Sequence, residues 1–84
     1  MERTVVVAAA EGLHARPAAV FVKAAAAQPA KVRIGVAGSD KRVAAESILA
    51  VMSLGVDGGA SVVIESESPQ ALDALEKVLT DPDL

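Results

Sequence analysis

Apolar residues recur along this chain with two periods, every second residue in some segments and every third or fourth in others, and the switches between them mark out the elements. Arg3 to Ala8 is short and rich in β-branched valine, which suits a strand. Farther on, Val32, Ile34 and Val36 alternate with Lys31, Arg33 and Gly35, the pattern of a strand with one face in water. The turn sequence "AGSD" follows, and a short strand over Lys41 to Ala44 completes a hairpin. A last strand is predicted over Ala60 to Glu67, with Val62 and Ile64 on one face and Ser61, Val63 and Glu65 on the other.

Helical spacing takes over in three places. Pro17 to Ala27 is alanine-rich, opens on a proline suited to the first helical turn, and repeats Ala18, Phe21, Val22 and Ala25 along one face before Gln28-Pro29 stops it. Ser47 is placed to cap a helix from Ile48 to about Leu54, with Gly55 as its C′ residue. Ser68-Pro69 opens the last helix, in which Ala71, Leu72, Leu75, Val78 and Leu79 form an apolar stripe while Asp73, Glu76 and Lys77 face water. Asp81-Pro82 ends it. The order is β-α-β-β-α-β-α, and one-sided helices beside alternating strands imply a single sheet covered on one face. Element order alone also fits a ferredoxin-like sheet.

Composition narrows the possibilities. A chain of 84 residues holds one small domain, and 52% hydrophobic against 23% charged residues is a folding composition. One phenylalanine is the whole aromatic supply, so the core is built from Val, Ile, Leu and Ala. With no cysteine there is no disulfide framework and no thiolate site. The opening "MERTVVVAAA" lacks the apolar length and cleavage context of a signal peptide and reads as the first strand of a cytoplasmic protein with no membrane insertion. A net charge of −3 and a single aromatic ring argue against nucleic-acid binding and leave proteins or small anions as partners.

The only histidine lies in "GLHARPA", Gly12 to Ala18. With Pro17 at or beside the first helical position, His14 precedes a helix N-terminus and Arg16 stands at its start. The unpaired N–H groups of a first turn and the positive end of the helix dipole make such a place an anion site. A neutral imidazole is a nucleophile, and the positive end of a helix favours that neutral form. A phosphoryl group on the ring would accept bonds from backbone N–H groups and from the Arg16 guanidinium, while Gly12 permits a tight approach loop. One histidine without cysteine does not build a usual zinc site, no G-x-S-x-G turn is present, and neither "GVAGSD" nor "GVDGG" continues into a P-loop.

"GLHARPA" resembles the active-site signature of the HPr family, the histidine-containing phosphocarriers of the bacterial phosphoenolpyruvate-dependent sugar phosphotransferase system. "SILAVMSLGV", Ser47 to Val56, is similar to that family's second helix with its regulatory serine. The resemblance runs over essentially the whole chain. It implies an α+β, open-faced β-sandwich in which a four-stranded antiparallel sheet of order 1-4-2-3 carries three helices on one face. It also implies that His14 takes a phosphoryl group on Nδ1 from phosphorylated enzyme I and passes it to IIA domains of sugar permeases. Arg16 would steady the phosphate, with Ala15, Pro17 and Ala18 forming the helix start that binds it. On this reading the protein is a monomeric relay rather than an enzyme, with no cofactor and no metal.

Ser47 would be the target of HPr kinase/phosphorylase, although an N-cap role alone also explains it. Ile48, Leu49, Val51, Met52 and Leu54 are too many apolar residues for one stripe of so short a helix, so Leu49 and Met52 should be exposed if Val51 and Leu54 enter the core. In the family this surface, with Ala19 and Lys23 of the first helix, meets partner proteins; Ile48, Leu49 and Met52 are the expected contacts here. Two departures stand out: Glu11 adds a negative charge beside the motif, and the hairpin from Ala37 to Arg42 is long. The alternative is a regulatory module of a nitrogen-type or catabolite-repression branch, signalling through its phosphorylation state. A relay serving dihydroxyacetone phosphorylation is a third reading.

Overall fold

Strands β1 (Glu2–Val6), β2 (Arg33–Val36), β3 (Val43–Ala44) and β4 (Ser61–Glu65) form one sheet in the order β1-β4-β2-β3, in a computed structural model that describes all 84 residues. All three pairings are antiparallel and β1 does not adjoin β3, which removes the ferredoxin-like alternative. The register sets Val5 opposite Val62 and Ile34 opposite Ile64, so the apolar face of each strand points to the same side.

Helices α1 (Ala15–Ala26), α2 (Ile48–Ser53) and α3 (Pro69–Leu79) cover that side. α1 packs on both α2 and α3, and α3 also lies along β1. Phe21, Ala18 and Ala25 of α1, Val51 of α2, and Leu72, Leu75 and Leu79 of α3 meet Val5, Ile34, Val62 and Ile64 in one continuous core. Phe21 is fully buried, the single large ring among small aliphatic side chains. Serines cap two helices: Ser47 Oγ accepts from Ala50 N at 3.3 Å, and Ser68 Oγ accepts from Ala71 N at 3.2 Å with Pro69 at the helix start. Each such cap satisfies a donor that the helix itself leaves open and contributes about 1 kcal/mol. Gly55 follows α2 at φ +66, the left-handed conformation that ends a helix.

Several boundaries differ from the sequence reading. β1 ends at Val6 rather than Ala8: the ladder closes irregularly at Val7, whose N–H still donates to Ala60 O but whose carbonyl accepts from Gly59 N, and Ala8 N then donates to Leu79 O at the end of α3. β4 ends at Glu65. β3 shrinks to two residues because the connection before it folds back over the face of the sheet opposite the helices. There the Lys41 carbonyl and the Arg42 side chain lie so close to Gly35 that any Cβ at that position would overlap them. Val63, the register partner of Gly35, was placed with Ser61 and Glu65 on the face away from Val62 and Ile64, and is nonetheless buried. Asp73 and Glu76 also do more than face water: both bind the Arg3 guanidinium of β1, Glu76 at 3.1 Å, and the hydrogen bond to Asp73 is the chief reason the guanidinium's pKa is raised.

α1 starts at Ala15, two residues before the predicted Pro17, which makes Pro17 the third helical residue instead of the first. The difference matters for the site, because it makes His14 the cap residue of α1.

Candidate functional site

The segment before α1 is held by backbone contacts. Gly12 N donates to Ala9 O at 2.9 Å, closing a turn, and Leu13 N donates to Val56 O at 2.9 Å. The Leu13 side chain is fully buried and anchors the turn in the core. Gly12 has φ +70, and a Cβ there would stand 2.1 Å from Val56 O and 2.7 Å from Asp57 Cα. From the other side, a Cβ on Gly58 would stand 2.4 Å from Ala10 O. The loops 9–14 and 55–60 therefore interlock backbone against backbone, a fit only glycine permits at these two contacts.

This anchoring presents His14 at the start of α1. Its backbone is extended (φ −124, ψ 158) and its side chain makes no capping hydrogen bond, so the imidazole is free for other chemistry. Its side chain is 40% exposed. Ala15 follows at φ 48, in the left-handed region, where a residue with a Cβ is strained by on the order of 1–2 kcal/mol. Of the first-turn donors, Pro17 has none and Ala18 N donates to the His14 carbonyl at 3.5 Å. The N–H groups of Ala15 and Arg16 have no partner. Arg16 is exposed and its guanidinium makes no ion pair or hydrogen bond, while Pro17 and Ala18 are buried and fix the helix start. Glu11 is exposed and likewise unpaired.

The one charged group at the imidazole comes from the interlocked loop: Asp57 Oδ1 lies 3.5 Å from His14 Nε2. Nothing in the sequence pattern pointed to Asp57, since the "DGG" stretch reads only as a turn. No pocket encloses the imidazole, and no group of three or more potential metal ligands occurs in the chain. An exposed imidazole at a helix start with unpaired N–H donors and an unpaired arginine is chemically suited to an anion.

The adjoining helices carry apolar side chains outward. Leu49 is 80% exposed, and Ile48 and Met52 of α2 are exposed too, while Val51 is buried and Leu54 half-buried. On α1 the exposed residues include Ala19, Lys23 and Val20. Val20 was absent from the expected surface; an outward valine between core positions Ala18 and Phe21 was the available signal. Ser47 stands half-buried at the start of α2, with its hydroxyl engaged as the cap acceptor. No helix is long and apolar enough to cross a membrane.

Comparison with known proteins agrees with this architecture. The family model described as "PTS HPr component phosphorylation site" matches residues 1–81. A phosphocarrier protein HPr of Haloferax volcanii is 48% identical, over 99% of this chain and 97% of its own. One of Streptomyces coelicolor is 48% identical over 92% of this chain and 82% of its own. Among solved structures, HPr from Thermoanaerobacter tengcongensis superposes with a TM-score of 0.84 at 35% identity, covering 94% of this chain and 90% of that one. Sheet order, helix placement and sequence thus lead to one conclusion: this chain belongs to the HPr family, the phosphocarriers of the phosphotransferase system.

Proposed function

We propose that His14 carries the phosphoryl group, taking it from phosphorylated enzyme I and handing it to a IIA domain of a sugar permease. The observation that supports this most directly is the half-exposed imidazole at the start of α1, next to the unpartnered N–H groups of Ala15 and Arg16, with the Arg16 guanidinium exposed and unpaired. In the forward step the lone pair of a ring nitrogen forms a bond to phosphorus as the bond to the donor breaks. The phosphoryl oxygens then rest against donors already in place, so little reorganisation accompanies transfer. The chain acts as a single cytoplasmic carrier domain, a monomer that needs no cofactor. It is a stoichiometric relay: the group that arrives leaves again, and partners supply the other catalytic residues.

The test is labelling of the purified protein by enzyme I and phosphoenolpyruvate, followed by discharge onto a panel of IIA domains. An acid-labile phosphoryl group that passes to a sugar IIA domain is expected; absence of label refutes the reading, and discharge only onto a nitrogen-branch acceptor moves the chain to that branch. Arg16→Ala is expected to fold normally and to transfer on the order of 100-fold more slowly, because loss of one charge-stabilising donor commonly has that effect. Stopped-flow or quench-flow transfer rates measure it, and rates equal to wild type would remove Arg16 from the site.

Docking is assigned to Ala19, Val20 and Lys23 of α1 together with Ile48, Leu49 and Met52 of α2. Such apolar side chains are left outward at no benefit to the core, and α1 and α2 adjoin. Ser47 is read as a phosphorylation site for HPr kinase/phosphorylase, where added charge at the edge of this surface would hinder partners. Ser47→Ala is expected to lower stability by about 1 kcal/mol through loss of the cap, and to eliminate labelling by that kinase and ATP. Denaturant melts and mass spectrometry read the two effects separately.

A further inference from the structure

We infer that Asp57 is a positioning residue for His14: its carboxylate engages ring nitrogen Nε2, selects the ring form protonated there, and leaves Nδ1 as the nitrogen with the free lone pair. This rests on the reading of His14 as the phosphoryl carrier. Three observations carry it. Asp57 Oδ1 is 3.5 Å from Nε2, a charge contact rather than a formed hydrogen bond, and the Asp57 side chain has no other ion pair and no hydrogen bond. The imidazole in turn has no other polar contact, since it makes no capping bond and Glu11 does not reach it. And although the Asp57 side chain is 88% exposed, its backbone is pinned against Gly12 by the interlocked loops and by the hydrogen bond from Leu13 N to Val56 O. The tether thus links the two loops at the residue that flanks the nucleophile.

The chemistry follows from what a carboxylate can accept. An ionised carboxylate has no proton to donate, so it pairs only with a ring nitrogen that bears one. Which nitrogen is protonated is set by the hydrogen bond the other side of the ring makes. With the proton on Nε2, the Nδ1 lone pair forms the N–P bond while the donor–phosphorus bond breaks, and the electron pair of that bond leaves with the donor. The Nε2 proton stays on the ring throughout. The positive charge that develops on the imidazole as the N–P bond forms faces the Asp57 carboxylate. In the resting protein this contact is long, as such contacts often are before a partner docks.

The test uses the whole chain with 15N-labelled histidine. In mildly alkaline buffer the 15N shifts report the ratio of the Nε2–H to the Nδ1–H form. Asp57→Ala is expected to lower that ratio about threefold, the size appropriate to an exposed pair. Asp57→Glu, which keeps the charge on a longer stem, is expected to restore at least part of it. An unchanged ratio in Asp57→Ala, with an otherwise wild-type amide spectrum, overturns the inference. Transfer from enzyme I should fall by a similar factor in Asp57→Ala and recover in Asp57→Glu. A shifted ratio in a chain whose wild type accepts no phosphoryl group would keep the contact and overturn what the ring is positioned for.

Discussion

Replacing His14 with alanine is expected to abolish phosphoryl acceptance from enzyme I completely while leaving the fold intact. The side chain is part-exposed and outside the buried core, and its one polar contact is the exposed Asp57 carboxylate, so no capping hydrogen bond is lost with it. Surface substitutions of this kind change stability by no more than about 0.5 kcal/mol. There is also no substitute nucleophile of the same type, because His14 is the only histidine and the chain has no cysteine. The measurement pairs a labelling assay with enzyme I and phosphoenolpyruvate with a urea melt of the same preparation. Wild-type labelling in the variant would place the phosphoryl group elsewhere; a collapsed melt would make His14 a structural residue.

The second large effect is expected at Gly12. An alanine there meets two independent obstacles: a backbone at φ +70, and a Cβ placed 2.1 Å from the Val56 carbonyl oxygen. The conformational strain costs about 1–2 kcal/mol and the steric overlap adds about 1–3 kcal/mol. A destabilisation of about 2–4 kcal/mol is a large share of the roughly 5–15 kcal/mol that holds a domain together. It is read as a lowered denaturation midpoint at unchanged slope. Because Val56 O is also the acceptor for Leu13 N, relief of the overlap must shift the loop that carries Asp57. The variant should therefore lose the His14–Asp57 contact, visible in the imidazole 15N shifts, as well as stability. Gly58→Ala separates the two obstacles, since Gly58 meets Ala10 O without a left-handed backbone. A Gly12→Ala protein as stable as wild type would show that the loops do not interlock.

Much of the architecture was legible because it is local. Helix stripes, Ser47 and Ser68 as caps, Gly55 as a helix end and the alternation in β2 are all set by residues within a turn or two of one another. The placement of "GLHARPA" at a helix start was legible for the same reason: the histidine, the arginine and the start of α1 lie within a few residues, and their closeness is guaranteed by the covalent chain. The start of α1 was misplaced by two residues because the left-handed Ala15 lets the chain enter the helix ahead of Pro17, and no residue type announces that conformation in an alanine.

What was not legible depends on packing between distant segments. The hydrophobic pattern required a sheet with one covered face but allowed more than one strand order; the order β1-β4-β2-β3 was implied by family resemblance, not by periodicity. The burial of Val63 is not read from alternation, which places it on the face away from Val62 and Ile64 but describes a strand and not what folds across it. Arg3 pairs with Asp73 and Glu76 from opposite ends of the chain. Sequence by itself thus determined most of the elements and the motif that places His14, Arg16 and a helix start together along the chain, all through short-range geometry. Only the tertiary structure decided that Asp57 stands at Nε2 of His14, because that placement comes from two glycine-lined loops closing on each other, a contact with no local signature.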